Sequence, residues 1–303
     1  MSKITVIGSM NMDLVISAGR YPEPGETMHG HSFAMIPGGK GANQAVACAR
    51  MGAEVHMAAK VGNDAFGKEL IATLKESGIY TDTVLISKTA NTGVAIITVV
   101  DGENSIVLSE GANGQVTPSD IDSIDGLILS SDAIMLQHEI PLETIYYSIK
   151  KYAGKTKIFL NPAPMKPFEE DLLACIDYLI LNQSEALALT SVHVEDEISS
   201  FKAIDMLLEK GVKYPIITMG SKGAAYFNGQ DKKYCPAFKV PVVDTTAAGD
   251  TFCGALASFI TEGIHMDDAL RSAQMAAALS TTKYGAQTSI PYLSDVEESL
   301  AKY

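Results

Sequence analysis

The stretch Asp244-Thr245-Thr246-Ala247-Ala248-Gly249-Asp250-Thr251 has the residue types and spacing to do chemistry. It lies between a strand-like run, Lys239-Val240-Pro241-Val242-Val243, and a helical pattern, TFCGALASFI. Residues as small as Ala247, Ala248 and Gly249 let backbone N–H groups point into a cavity. At a helix start those groups carry partial positive charge. Together they suit a phosphoryl group whose negative charge grows in a transition state. A carboxylate at the same place, Asp250, can accept the proton of an attacking hydroxyl. The same aspartate reads equally well as an ordinary helix N-cap, stabilising by about 1 kcal/mol.

Other polar residues gather where strand-like runs end. Asn11 and Asp13 stand in GSMNMD, Gly39, Lys40 and Asn43 in GGKGANQA, and Glu139 in LQHEIP. A ring of sugar hydroxyls needs both donors and acceptors, and this set supplies both. Taken singly, each is better explained by a plainer reading. Asn11 and Asp13 would shape a turn after the first strand, Asn43 would be a polar helix position, and Glu139 a solvated loop charge.

Two nucleotide fingerprints are missing. Gly62-Asn63-Asp64-Ala65-Phe66-Gly67-Lys68 fits GxxxxGK, but Glu69 stands where a magnesium-binding hydroxyl is needed. Asp64 would also put a carboxylate inside the phosphate cradle. Gly62 reads as a strand end and Gly67 as a packing residue in a helix. Gly8-Ser9-Met10-Asn11 lacks the glycines that a pyrophosphate requires, which counts against a Rossmann oxidoreductase. The six histidines do not cluster like ligands, and His138, beside Glu139, reads as loop polarity. The four cysteines, Cys48, Cys175, Cys235 and Cys253, form no CxxC pair. Neither a zinc site nor a disulfide framework is expected, and the reduced cytoplasm is the natural compartment.

The elements that must position these residues follow from hydrophobic patterning. Short apolar runs (KITVIG, EVHMAAKVG, DAIMLQ, KIFLNP, DYLILN, YPIITMG) alternate with amphipathic stretches such as GANQAVACARMG and AFGKELIATLKESG. This predicts an α/β fold, a doubly wound, mostly parallel sheet with helices on both faces. In such sheets ligands sit at the carboxyl ends of the strands. Two segments, 13–36 and 92–108, hold strand-like runs with turns at Pro22, Pro24-Gly25 and Asp101-Gly102 but no helix. Strands without crossover helices predict antiparallel pairing. Both segments are expected to form one small sheet that stands off the main body as a lid. Ala247 to Tyr284 reads as helical, interrupted at Gly254 and Gly263. The whole chain, 1–303, reads as a single domain.

Composition narrows the partners. The chain has 303 residues, 47% hydrophobic, and a formal net charge of −13. Without a basic run, nucleic acid is an unsuitable partner. A phosphate compound must be held by backbone amides, helix N-termini or a metal ion. The apolar run Ile4–Ile7 is too short for a signal or membrane segment.

DTTAAGD resembles the DTxGAGD signature of the ribokinase-like carbohydrate kinases. Gly38-Gly39-Lys40-Gly41-Ala42-Asn43-Gln44-Ala45 resembles that family's sugar loop, Asn182-Gln183-Ser184-Glu185 its NxxE element, and Thr218-Met219-Gly220-Ser221-Lys222-Gly223 its TxGxxG loop. The four occur in the family's order and spacing, end to end. The resemblance implies transfer of the γ-phosphoryl group of ATP to the primary (5-) hydroxyl of a small sugar, with the likeness greatest to the branch that acts on ribose. It implies Asp250 as catalytic base and the amides of Ala247, Ala248, Gly249 and Asp250 as an anion hole. It implies sugar contacts from Asn11, Asp13, Gly39, Lys40, Asn43 and Glu139. Nucleotide contacts fall on Asn182, Thr218, Gly220, Ser221, Lys222, Gly223 and Gly249. Gln274 stands where some members set a histidine against adenine. Glu185 would order Mg²⁺ through water. Asp244, Thr246, Ser280, Lys283 (by its carbonyl), Gly285 and Ser289 would form a K⁺ loop.

Several alternatives stay open at this level. The sugar could be 2-deoxyribose or fructose, or the acceptor adenosine, and a non-catalytic sugar sensor could share the fold. Asn11 favours ribose, because an amide set to bond a 2-hydroxyl is left unpaired without it. The deoxyribose branch resembles Met at this position. A retained Asp250 argues against a sensor. Unpaired lid edges invite a partner, so a homodimer through the lid is expected.

Overall fold

Alternation along the strands accounts for the main sheet. Ile134 and Leu136 point to one apolar cluster while Ala133 and Met135 join the other. Ile158 and Leu160 oppose Phe159, and Leu179 and Leu181 oppose Ile180, in the same way. Both faces are therefore buried, as a helix-covered parallel sheet requires.

The computed structural model describes residues 1–101 and 103–303. The strands are β1 (Lys3–Ile7), β2 (Asn11–Ser17), β3 (Ser32–Gly38), β4 (Glu54–Gly62), β5 (Val84–Ser87), β6 (Gly93–Val100) and β7 (Glu103–Ser109). They continue with β8 (Ala133–Gln137), β9 (Lys157–Asn161), β10 (Tyr178–Asn182), β11 (Tyr214–Thr218), β12 (Gly223–Phe227) and β13 (Lys232–Pro236). The helices begin with α1 (Lys40–Arg50), α2 (Ala65–Glu76), α3 (Pro118–Asp122), α4 (Asp125–Leu129) and α5 (Leu142–Tyr152). They end with α6 (Gln183–Thr190), α7 (Glu197–Glu209), α8 (Ala248–Thr261), α9 (Met266–Ser280) and α10 (Leu293–Leu300).

The large sheet runs β13-β12-β11-β10-β9-β8-β1-β4-β5, with only the β11–β12 and β12–β13 pairs antiparallel. Helices α1, α8 and α9 contribute to one core cluster and α5, α6 and α7 to the other. The expected doubly wound sheet is present. No helix among the described residues is long and apolar enough to cross a membrane.

The second sheet has four strands, β3-β2-β6-β7. Its strands reach two residues beyond the expected 13–36 segment at either end, to Asn11 and Gly38. Asn11 and Asp13 thus sit in a strand and not in a turn. Pairing within each segment is antiparallel, but β2 pairs with β6 in parallel. Both of these strands leave the main body in the same direction, so the expectation of purely antiparallel pairing fails at the seam. The Asp101-Gly102 turn lies partly outside the described residues.

Two further expectations change. Residues 239–243 form no strand. Pro241 lacks a ladder donor, and Val242 and Val243 are exposed. Gly263, at φ 89°, does separate α8 from α9, but Gly254 lies inside α8 and interrupts nothing. A Cβ on Gly254 would lie 2.5 Å from Gln44 O and from Ala47 Cβ, so this glycine lets α8 pack closely on α1.

Candidate active site

The carboxyl ends of β9, β10 and β11 open onto a cavity of about 230 Å³. Lys40, Asn182, Glu185, Thr218, Ala247, Gly249 and Asp250 all line it. Residues expected to touch sugar, nucleotide, metal and the transferring phosphoryl group therefore share one space.

Asp250 is the third residue of α8, whose N-cap is Ala247 in the left-handed region at φ 59°. The start of α8 has no side-chain capping bond, which removes the N-cap reading of Asp250. Its side chain is 6% exposed. Asn43 Nδ2 donates to its Oδ2 (3.0 Å) and Gln44 Nε2 to its Oδ1 (3.1 Å). Gln44 carries no role that its type or spacing announces, although it sits inside the sugar-loop motif.

The first turn of a helix leaves N–H groups without intrahelical partners. Here Ala248 N turns back to Thr245 O (3.2 Å). Ala247, Gly249 and Asp250 line the cavity. A Cβ on Gly249 would meet nothing within 4 Å, so packing does not account for this glycine.

Four carboxyl groups surround one amine. Asp250 is the main cause, against burial, that the Lys40 ammonium is held above its ordinary value, with Glu139 and Glu185 adding to it. Asp13 is pushed up to about 7, first by burial and then by Glu139 and Asp250, with Lys40 opposing. Glu139 is tied in place: Ser9 Oγ (2.5 Å) and Lys40 N (3.0 Å) donate to its Oε2. It is half-buried and not a solvated loop charge. Gly39 must be glycine, since φ is 90° and a Cβ would lie 2.8 Å from Asn11 N.

Asn11 is buried, and its Oδ1 accepts from Asn113 Nδ2 (2.7 Å). Asn113, which no motif points to, also bonds Met10 N (2.9 Å) and Met10 O (3.2 Å). This fixes the Asn11 amide so that its own nitrogen remains available to a ligand.

Asn182 and Glu185 form a capping box on α6, with Asn182 N (2.9 Å) and Nδ2 (2.8 Å) donating to the Glu185 carboxylate. Burial raises the Glu185 carboxyl above its usual range, the Asn182 amide and Lys40 oppose that, and Asp250 adds to it. Thr218 ends β11, and Gly220–Lys222 make a single 3₁₀ turn. Gly223 is at φ 118°, and a Cβ there would lie 2.1 Å from Cys235 O. Gly220, Ser221 and Lys222 are exposed, and Lys222 Nζ donates to Glu195 O (2.6 Å). Gln274 does not line this cavity; its Nε2 donates to Cys235 O (3.1 Å) and its Oε1 is buried without a partner.

Two further loops, one before α8 and one after α9, meet at Asp244. Asp244 Oδ1 accepts from Thr246 N (2.9 Å) and Thr246 Oγ1 (2.6 Å), and its Oδ2 from Gly285 N (3.0 Å). Burial works against ionisation there, but the Thr246 and Gly285 donors outweigh it and hold the carboxyl below its usual range. Ser280 and Ser289 are buried, each donating to a carbonyl three residues back, while Lys283 is exposed.

Two other sequence readings resolve. Asp64 caps α2 through Gly67 N (2.8 Å) and also receives Thr92 N (2.8 Å), so the GxxxxGK look-alike is structural. His138 is fully buried on Phe168 with both ring nitrogens unpartnered, so loop polarity does not describe it. Burial, aided by Lys166, lowers it to about 4.

A buried carboxylate at a helix start, beside backbone amides and facing a cavity that also holds a lysine, is suited to phosphoryl transfer. Residues 1–293 match the pfkB family carbohydrate kinase model. The chain belongs to that family. It is 40% identical to a ribokinase of Lactococcus lactis subsp. lactis, over 99% of this chain and 97% of that one. A deoxyribokinase of Salmonella typhi is 37% identical over 98% of both. A solved Arabidopsis thaliana ribokinase, complexed with ribose and ATP, superposes with a TM-score of 0.90 at 32% identity, covering 99% of both chains.

Proposed function

We propose that the protein phosphorylates D-ribose at its 5-hydroxyl, using ATP and releasing ADP and ribose 5-phosphate. One observation carries this: the Asp250 carboxylate, buried and held by two amides, shares a cavity with Lys40, Asn182 and Glu185. Support comes also from the ribokinase relatives and from the structure solved with ribose and ATP.

In this reading the sugar lies against Asn11, Asp13, Gly39, Lys40, Asn43 and Glu139. Asn43 Oδ1, buried and unpartnered, is a waiting acceptor for a sugar hydroxyl. The nucleotide lies along Asn182 and Thr218–Gly223, with Gln274 as a further contact. The 5-hydroxyl gives its proton to Asp250 as its oxygen attacks the γ-phosphorus. The bond from that phosphorus to the leaving ADP oxygen breaks in line. The amides of the α8 start hold the growing charge, so positioning and electrostatics carry the rate.

Mg²⁺ fits beside Glu185. Both oxygens of that carboxylate are engaged by Asn182, which favours contact through water over direct ligation. When bound, the ion would neutralise charge on the phosphates. K⁺ fits the Asp244 loop: an ionised carboxylate joins residues 244–246 to Gly285, with Thr246, Ser280, Ser289 and the Lys283 carbonyl as companions. It would fix the loop that precedes the anion hole.

The small sheet would act as a lid on one kinase domain, excluding water from the reaction. Its exposed Phe33, Met35, Ile96 and Val107 share one face by register and offer an apolar surface for a second copy. The expected setting is the cytoplasm.

The test is ADP release from ATP and Mg²⁺ across ribose, 2-deoxyribose, fructose and adenosine, with and without K⁺. Turnover greatest with ribose and raised by K⁺ is expected. Preference for another acceptor would keep the mechanism and overturn the substrate.

A further inference from the structure

Behind Asp250 lies a chain of buried amides that takes no direct part in phosphoryl transfer. Gln44, on α1, and Gln137, at the end of β8, are both 0% exposed. Gln44 Nε2 donates to Asp250 Oδ1 at 3.1 Å, and Gln44 Oε1 accepts from Gln137 Nε2 at 2.7 Å. A longer contact, 3.5 Å, runs from Gln44 Nε2 to Asn161 Oδ1. Gln137 Oε1 has no partner.

The polarity of this chain follows from electrostatics. An ionised carboxylate only accepts hydrogen bonds, so it demands the nitrogen of Gln44. That leaves the Gln44 oxygen facing Gln137, which must then offer its own nitrogen. Turning Gln44 over would set oxygen against carboxylate and nitrogen against nitrogen. Gln137 therefore locks Gln44 in the sense that serves Asp250.

The backbone is shaped to admit the lock. A Cβ on Gly8, just past β1, would lie 2.1 Å from Gln137 Oε1. Gly254 brings α8 onto α1 at the Gln44 carbonyl, 2.5 Å from where its Cβ would be.

We propose that Gln44, locked by Gln137, is a positioning residue for the catalytic base. With Asn43 donating to Oδ2 and Gln44 to Oδ1, the Asp250 carboxylate is held in one orientation. The inference rests on the reading of Asp250 as base. Other charged groups face the same space: Lys40 on α1, Asp13 on β2, Glu139 after β8 and Glu185 on α6. Cys253, on α8, is held well above its ordinary value by burial and stays neutral. None of these charged side chains has a hydrogen bond to Gln44 or Gln137 among the described residues, so removing the amides leaves their own bonds intact.

The experiment compares Gln44→Leu, the Gln44→Leu/Gln137→Leu double variant and Asp250→Asn with the parent. It measures kcat, both KM values, the pH profile of kcat and Tm. The double variant removes both polar partners together, which spares the cost of an orphaned buried amide. Expected for both Gln44 variants is a kcat loss of about 10- to 100-fold with the ATP KM within about twofold. The acid limb of kcat should move to higher pH, because a donor to the carboxylate is gone. A kcat within about threefold of the parent overturns the proposal. So does a kcat loss that tracks Tm while the acid limb stays put. If Asp250→Asn itself keeps near-parent turnover, the base reading fails and takes this inference with it. If Asp250→Asn is inactive and Gln44→Leu is not, this inference alone fails.

Discussion

Replacing Asp250 by asparagine separates catalysis from folding in a way the structure makes quantitative. The substitution keeps shape and removes the proposed proton acceptor. A positioned general base contributes roughly 10²- to 10⁴-fold, or about 3–5 kcal/mol of transition-state stabilisation. The fold should lose far less. The introduced amide would keep its oxygen toward Gln44 Nε2 and turn its nitrogen toward Asn43. Gln44 cannot adapt without breaking its 2.7 Å bond from Gln137. Asn43 can, because its Oδ1 has no partner and, once turned, would accept from the introduced nitrogen. The number of hydrogen bonds is conserved, and the attraction Lys40 loses is offset by the repulsion relieved at Asp13 and Glu185, so the stability change should be small, on the order of 1 kcal/mol. Asp13 loses a negative neighbour at the same time and should titrate below the parent's value of about 7. The assay is coupled ADP release at saturating ribose and ATP, with ribose binding by titration calorimetry and Tm by scanning calorimetry. A kcat within about tenfold of the parent, with ribose binding intact, would refute the base assignment.

Gly249→Ala should raise Tm slightly, since alanine is worth about 0.4–1 kcal/mol over glycine at a compatible site and its Cβ meets nothing. The same variant should lose kcat, because that Cβ intrudes where the phosphoryl group must lie; raised Tm with full activity would contradict the anion hole. Asp13 is about 7 in the folded chain, so between about pH 4 and 7 the native state holds a proton that the unfolded state has released, and stability should fall as pH rises through that window. Ribose hydroxyls donating to Asp13 favour the charged form, so ribose should bind more tightly above about pH 7 and release a proton below it; calorimetry in two buffers of different ionisation enthalpy would detect this. Asn11→Met should cut discrimination of ribose over 2-deoxyribose, by about 1–3 kcal/mol in relative kcat/KM; an unchanged ratio would remove Asn11 from specificity. Asp244→Ala should abolish any K⁺ stimulation while leaving ribose affinity within about threefold; stimulation that persists in this variant would place the ion elsewhere.

Much of this architecture was legible because strand alternation is a local signal. Ile4 to Ile7, Glu54 to Gly62 and the β8–β11 runs became strands where their patterns placed them. Lys239–Val243 misled because it has a strand's composition, and no local pattern shows that the sheet already ends at β13. The parallel β2–β6 seam was hidden for the same reason: partners far apart in the chain leave no mark on each other's sequence. At the site, Asp250 and the glycine-rich loop stood out by type and spacing. Gln44 and Asn113 did not. A buried glutamine and a polar helix residue look alike in sequence, and only the packing of α1 on α8 and β8 gives Gln44 its two partners. One signal was present: two adjacent amides, Asn43 and Gln44, in a helix that is otherwise small and apolar between Lys40 and Arg50.

The most direct measurement is the formation of ADP and a sugar phosphate from ATP, Mg²⁺ and ribose, run in parallel on the parent and Asp250→Asn. The account predicts stoichiometric ADP and ribose 5-phosphate from the parent and a loss of about a hundredfold or more in the variant. Ribose binding without turnover in the parent, or equal turnover in both proteins, would contradict it.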